Sequence, residues 1–454
     1  MFNSARVGSN QPVFNPRKWA ESEIRGTPAA NANCFFMLLS LLRFPTMLAA
    51  GLLLLSPLAL RWTGAAAAQP APGAPAPLAF TVRNRLAIAR GTETVSLPAT
   101  LLAGLITAYG ADNMLVRDAT TGSVLVSQVL DNDADGKADA LLFQTTLAAG
   151  ATKAFTVSGA ANGAAQRPKS PCTTFSRFVP ERIDDYAWEN ERVAFRTYGP
   201  MAQQRTEAGR KDGTLTSGMD CWLKRVPYPV IDKWYAGNVQ EAGYYHHDRG
   251  EGYDPYHVGD SRGCGGTGVW ANDRLYVSKN FISYQTLATG PIRTVFELTY
   301  APWDANGRSV MEKKRISLDL GSNLSRYEDH CSSSQALPNF VVGIALHQQK
   351  GMVKSDRKAG WFRYWEPLDD AEIGTGVVLA PEAVTEVRDN RVEKPDQSNL
   401  LIFTRPARAP LVFYAGFGWT KSGQFRTVQE WDAYLARFAQ TLASPLEISW
   451  TKHR

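Results

Sequence analysis

The sequence predicts an all-β protein: a small N-terminal β-sandwich, then a large antiparallel sandwich, closed by one C-terminal helix. Short alternating apolar runs bounded by turn residues recur along most of the chain, the pattern of half-buried strands. No helical period separates them, which argues against parallel βαβ units. The exception is Thr427-Val-Gln-Glu430, a capping box, followed by Trp431, Leu435, Phe438 and Leu442 at helical spacing.

Residues 1–68 read as an export signal. The run Met47-Leu-Ala-Ala-Gly-Leu-Leu-Leu-Leu55 follows a basic residue and precedes small ones, as in a secretory signal peptide, with a start at Met37 or Met47 left open. That core is short and Pro-interrupted, so no stable membrane span is expected once the signal is removed. The mature protein is expected in the periplasm or outside the cell. Residues 69–77 are a Pro/Ala-rich linker. Residues 78–160 carry short runs such as Ala79-Phe-Thr-Val82 and Ala140-Leu-Leu-Phe-Gln144, spaced as in a small sandwich. Residues 172–454 carry longer runs, among them Arg293-Thr-Val-Phe-Glu-Leu-Thr-Tyr300 and Phe340-Val-Val-Gly-Ile-Ala-Leu346, and form the large domain.

The formal charge of +6 is spread without a Lys/Arg block, so no nucleic-acid partner is expected. Five cysteines occur. Outside the signal region Cys172, Cys221, Cys264 and Cys331 remain, and an oxidising compartment predicts one or two disulfides among them. Their spacings match no zinc motif.

Three of the six histidines fall within Tyr244–Gly268, together with phenols, acids and guanidinium groups. Its glycines and Pro255 predict a loop, too polar for a core element. His246, His247 and His257 are the candidate bases, since imidazole titrates near neutrality. Tyr245 and Tyr256 are candidate proton donors, and Arg249 and Arg262 candidate clamps for a carboxylate. Asp248 and Glu251 are candidate acids or substrate ligands. The plain alternative is a surface loop bonded to itself. Gly263-Cys-Gly-Gly-Thr-Gly268 reads as the turn that returns it to the sheet.

A second cluster, with Asp184 and Trp188, has the aromatic face and polar groups that a sugar site needs, or equally those of a sheet edge. Glu366, in an aromatic run, is a further candidate for a cleft. His330 and His347 read as isolated structural residues. Asp131, Asp133, Asp135 and Asp139 alternate around Gly136 like a calcium loop, although Leu142 stands where a bidentate acid belongs; a hairpin turn explains them as well. Calcium is thus the one cofactor in view.

Several runs together resemble an uncharacterised bacterial family, domain of unknown function 4861. They are Glu181–Pro200, Tyr245–Asp260, Leu318–Asn323, Gly416–Trp419 and the Asp131–Gln144 turn and strand. The resemblance implies a secreted protein from gene neighbourhoods that degrade polysaccharides, often uronate-bearing ones. It also implies a large domain similar to the galactose-mutarotase-like supersandwich, an analogy that fixes no reaction. It carries no catalytic residues with it.

The expected function is therefore carbohydrate-active: a lyase on uronate-containing oligosaccharides or polysaccharides, with Arg, His and Tyr driving β-elimination. Three alternatives stand beside it. One is hydrolysis by paired carboxylates, Asp248 or Glu251 with Asp184 or Glu366. The second is a non-catalytic sugar-binding module stacking on Trp188, Trp270 and Trp365, and the third a mutarotase or epimerase.

Overall fold

In Leu78–Arg83 the two-residue period turns Phe80 and Val82 inward and leaves Arg83 exposed. The same alternation builds a four-stranded sheet, ordered Glu447–Trp450, Leu78–Arg83, Thr152–Gly159, Met114–Asp118. A three-stranded sheet (Arg90–Pro98, Ala140–Leu147, Ser127–Leu130) shares its core, where Phe80, Phe143 and Phe155 meet with ring centroids 5.0–5.9 Å apart. The computed structural model describes residues 75–406 and 409–451. The signal reading of 1–68 and most of the linker lie outside them.

Glu447–Trp450, the last described strand, pairs antiparallel with Leu78–Arg83 and so joins a sheet of the small sandwich. Trp450 lies tilted against Phe80, with ring centroids 5.0 Å apart.

The large body consists of antiparallel strands in three sheets. One has nine strands, from Phe281–Ala288 at one edge to Met352–Asp356 at the other; two have five. Their side chains share one core, including Trp188, Phe195, Phe296, Tyr327, Val342, Ile402 and Phe413. Gly263–Gly268 is mostly strand, contrary to the turn expected: Cys264–Ala271 pairs with Phe340–Ala345. Glycine is required there because neighbours press close; a Cβ on Gly266 would meet the Arg262 carbonyl oxygen at 2.5 Å.

Val428–Ala443 is the expected helix. Thr427 accepts from the Glu430 amide at 3.3 Å, while the Glu430 carboxylate reaches back to the Arg426 amide, one residue before the cap. Trp431 and Leu435 pack on the sheet where Gly374 and Gly376 leave room. Helices Ala103–Tyr109, Pro200–Glu207 and Ile231–Gln240 were not foreseen. Ile231, Trp234 and Tyr235 did offer helical spacing, and Glu189 accepts from the Val230 and Ile231 amides at the start of that helix.

The four cysteines among the described residues are free thiols, against the expectation of disulfides. Cys264 donates to the Gly416 carbonyl at 3.2 Å, and Cys331 points to Asp329. No helix among the described residues is long and apolar enough to cross a membrane.

Candidate active site

The polar segment does not stand in solvent as a loop; much of it is buried. Tyr244–His246 is a single helical turn, and Gly252–Tyr253 pairs with Asp220–Lys224. Tyr245, Glu251, Tyr253, Asp254, Tyr256 and Arg262 are all buried. What makes that burial tolerable is a set of ion pairs around Arg196. Its guanidinium donates to Asp220 at 2.7 Å, Asp254 at 2.6 Å and the Tyr245 hydroxyl at 3.1 Å, with Asp185 at 3.5 Å. Burial raises Asp185 to about 6 against the pull of Arg196 and Arg182. Asp254 rises well above the usual carboxylate range, first through burial and then through the charge of Asp220.

Immediately after Asp254 the chain enters an open cleft of about 440 Å³, lined by Pro255, His257, His347, Lys350, Glu366, Asp369 and Asp396, among others. That volume suits a small ligand. Four segments build it. Pro255–His257 is held from behind by Asp254 and by Tyr253, which donates to Asp369 at 2.5 Å. The turn after Phe340–Ala345 carries His347 and Lys350; Tyr364 pins it by donating to the Leu346 carbonyl and accepting from the Gly351 amide. Glu366 lies near the end of the strand Trp361–Leu368, and Asp369 occupies the two-residue hairpin that follows. Asp396 sits on a loop tied to the His347 turn, since Gln349 donates to Val392 and Ser398. His347, Gln349 and Asp369 all adopt positive φ, +40°, +60° and +53°. Strain of this kind costs about 1–3 kcal/mol per residue and collects at functional sites.

Hydrogen bonding fixes the ring nitrogens. His257, 68% exposed, faces Asp396 through Nε2 at 3.1 Å; a carboxylate accepts, so Nε2 carries a proton, and in the neutral ring the lone pair is then on Nδ1. His347 faces the His257 carbonyl through Nε2 at 2.8 Å and Glu366 Oε1 through Nδ1. Glu366 Oε2 has no partner among the described residues. Lys350 has no ion pair among them either.

Of the candidate catalytic and binding residues named in the sequence, only His257 and Glu366 line this cleft. His246 bonds the Asp254 carbonyl, and burial lowers its pKa; His247 is exposed elsewhere on the segment. Tyr245 is enclosed by Arg182, Arg196 and Trp222. Tyr256 is buried behind His347, at a ring distance of 4.5 Å, with burial holding its phenol protonated. Neither arginine can clamp a substrate in the cleft. Arg249 stacks on Tyr244 and pairs with Glu241. Arg262 is buried against Ser217, and burial brings it down to about 10.

Asp248 bonds Arg225 and the Gly250 amide, Glu251 bonds Tyr228, Lys233 and Trp234, and Asp184 bonds the Met201 amide. These acids serve local structure. Trp188 and Trp365 are buried, Trp188 donating to Ser325, so neither offers a stacking face. His347 was read as isolated, because its partners lie 19 and 90 residues away.

At the hairpin Asp131–Asp139, Asp131, Asp133 and Asp139 each offer an oxygen within 4.8 Å of the others. Asp131 accepts from Gly136, Asp133 from Asp135 and Asp139 from Asn132, while Asp135 pairs with Lys137 at 3.0 Å. These carboxylates stabilise the turn through its own amides.

A family profile described as "Domain of unknown function (DUF4861)" matches residues 82–448. "Uncharacterized protein P7" of Formosa agariphila is 44% identical over 372 residues, 82% of this chain and 92% of that protein. Among solved structures, an alpha-mannosidase from Enterococcus faecalis aligns with TM-score 0.44 and 9% identity, covering 83% of this chain and 46% of that one. A glycosyl hydrolase family 38 protein from Enterococcus faecalis aligns with TM-score 0.42 and 10% identity, covering 83% and 48%. The chain spans about half the length of those two solved chains.

Proposed function

The chain belongs to the DUF4861 family, and we propose that it is an exported, carbohydrate-active lyase cleaving uronate-bearing saccharides in the cleft between His257 and Glu366. The observation that carries this reading is the pairing, in one cleft, of an imidazole bonded to Asp396 through Nε2 with a carboxyl group bonded to a second imidazole. Lys350 adds a cation without an ion-pair partner among the described residues.

In this scheme Lys350 takes the place assigned from sequence to Arg249 or Arg262 and neutralises the uronate carboxylate, acidifying the adjacent C–H. His257 Nδ1 removes that proton. The electron pair forms a carbon–carbon double bond as the glycosidic C–O bond breaks, and Glu366 protonates the departing oxygen. Asp396 holds the His257 ring in the required tautomer. Incubation with uronate polymers is expected to generate ultraviolet absorbance from the unsaturated product.

Hydrolysis is the second reading, favoured by Asp369 and Asp396 sharing the cleft with Glu366. It releases reducing ends without absorbance. Saturable sugar binding with neither product would leave only a binding module.

A further inference from the structure

We propose that His347 is a positioning residue, which joins the proton donor Glu366 to the segment bearing the base His257; this rests on the catalytic reading above. Its imidazole is 12% exposed and both nitrogens are engaged. A backbone carbonyl only accepts, so the bond to the His257 oxygen requires hydrogen on Nε2. That leaves Nδ1 for Glu366 Oε1, with one proton on the line between them. For Glu366 to protonate the leaving oxygen, the bridging proton sits on Nδ1 and is donated to Oε1, and Glu366 carries its own transferable proton on Oε2, the oxygen without a partner among the described residues.

The ring is held from every side. The backbone of His347 is in the left-handed region, a conformation that a merely space-filling side chain does not need. Tyr256 meets it edge-on at 82°, and Tyr364 anchors the preceding carbonyl. Displacing this one ring would release both the Glu366 carboxyl group and the Pro255–His257 backbone. A packing histidine would bind neither group in a defined tautomer.

The test has two arms. In nitrogen NMR of histidine-labelled protein, without substrate, His347 is expected to show protonated Nε2. Its Nδ1 signal is expected to move in Glu366→Gln. A bare Nε2, or an Nδ1 signal indifferent to that substitution, overturns the proposal; the wild-type spectrum stands even where a variant folds poorly. In the second arm, His347→Asn keeps a residue that tolerates positive φ. On a cleaved uronate substrate it is expected to lower kcat by about 10²-fold or more, with KM within about threefold. An unchanged kcat, or a loss confined to KM, overturns the proposal. A protein that cleaves nothing yet shows the expected ring signals refutes the reaction and supports the positioning.

Discussion

Asp254 accepts a hydrogen bond from the Arg196 guanidinium at 2.6 Å, and the next residue, Pro255, already lines the cleft. Asp254 therefore transmits the rigidity of a buried charge cluster to the segment carrying His257. Three carboxylates surround Arg196 there, and burial raises Asp254 well above the ordinary carboxylate range. A neutral Asp254 is the arrangement that burial favours. Asp254→Asn, which mimics the protonated acid, is expected to fold with stability within about 1 kcal/mol of the parent. Asp254→Ala leaves a buried Arg196 N–H without its acceptor and is expected to cost about 1.5–3 kcal/mol. Urea denaturation of the two variants separates them; equal losses would mean that Asp254 is held as an anion.

The histidines of the polar segment separate by position. His257 lines the cleft, whereas His246 bonds the Asp254 backbone and His247 is exposed outside the cleft lining. His257→Ala is expected to lower kcat/KM on a uronate substrate by about 10²–10⁴-fold. His247→Ala is expected to leave it within about twofold. A dependence on His247 equal to that on His257 would move the reacting centre out of this cleft.

Under the proposed reaction, Lys350 is the lining residue expected to distinguish a uronate from its neutral counterpart. Lys350→Met is expected to lower kcat/KM about tenfold or more on the free acid. A methyl-esterified substrate, which carries no charge for the lysine to meet, should feel the change much less. Initial rates on the two substrates read the difference directly. Equal losses on acid and ester would remove Lys350 from carboxylate recognition.

Asp185 gives the protein a pH dependence of known sign. Its folded pKa, about 6, exceeds the ordinary carboxylate value of 3.8. Between these values the folded state binds more protons than the unfolded chain, so this group's contribution to stability falls as pH rises from about 4 to about 6. Asp185→Asn removes the titration. The stability of the parent relative to Asp185→Asn is expected to decline across that window and level off above it. Denaturation midpoints measured across the range provide the check, and a difference that rises with pH would reverse the assignment.

How much was legible in the sequence follows from the range of the interactions. The strands and the capped helix at Thr427 depend on local periodicity, which a single sequence displays. His257 and Glu366 were marked by their chemistry alone. Their convergence, and the part played by His347, depend on contacts between distant strands that no local pattern encodes. The polar segment misled for a related reason: its acids and phenols look solvated until Arg196, in a different strand, is placed among them. Arg262 resembles a substrate clamp in composition, yet Gly343 leaves room for its stem inside the core.

The C-terminal strand makes the small sandwich depend on both ends of the described chain. Leu446, Ile448 and Trp450 pack on its core, and Arg90, itself buried, donates to the Ser444 carbonyl. Full burial of an apolar side chain of this size contributes about 1.5–3 kcal/mol; these three are partly buried and contribute less each, yet losing all of them weakens a domain of so few strands. Deletion after Ser444 is expected to detach the small sandwich's stability from that of the large body. Urea unfolding should then split, with an early transition exposing 78–160 to protease while the cleft still turns over substrate. The cleft residues all lie between 255 and 396, on the large body, which is why activity should persist through that first step. A single transition at the parental midpoint would show that the small sandwich closes without its last strand.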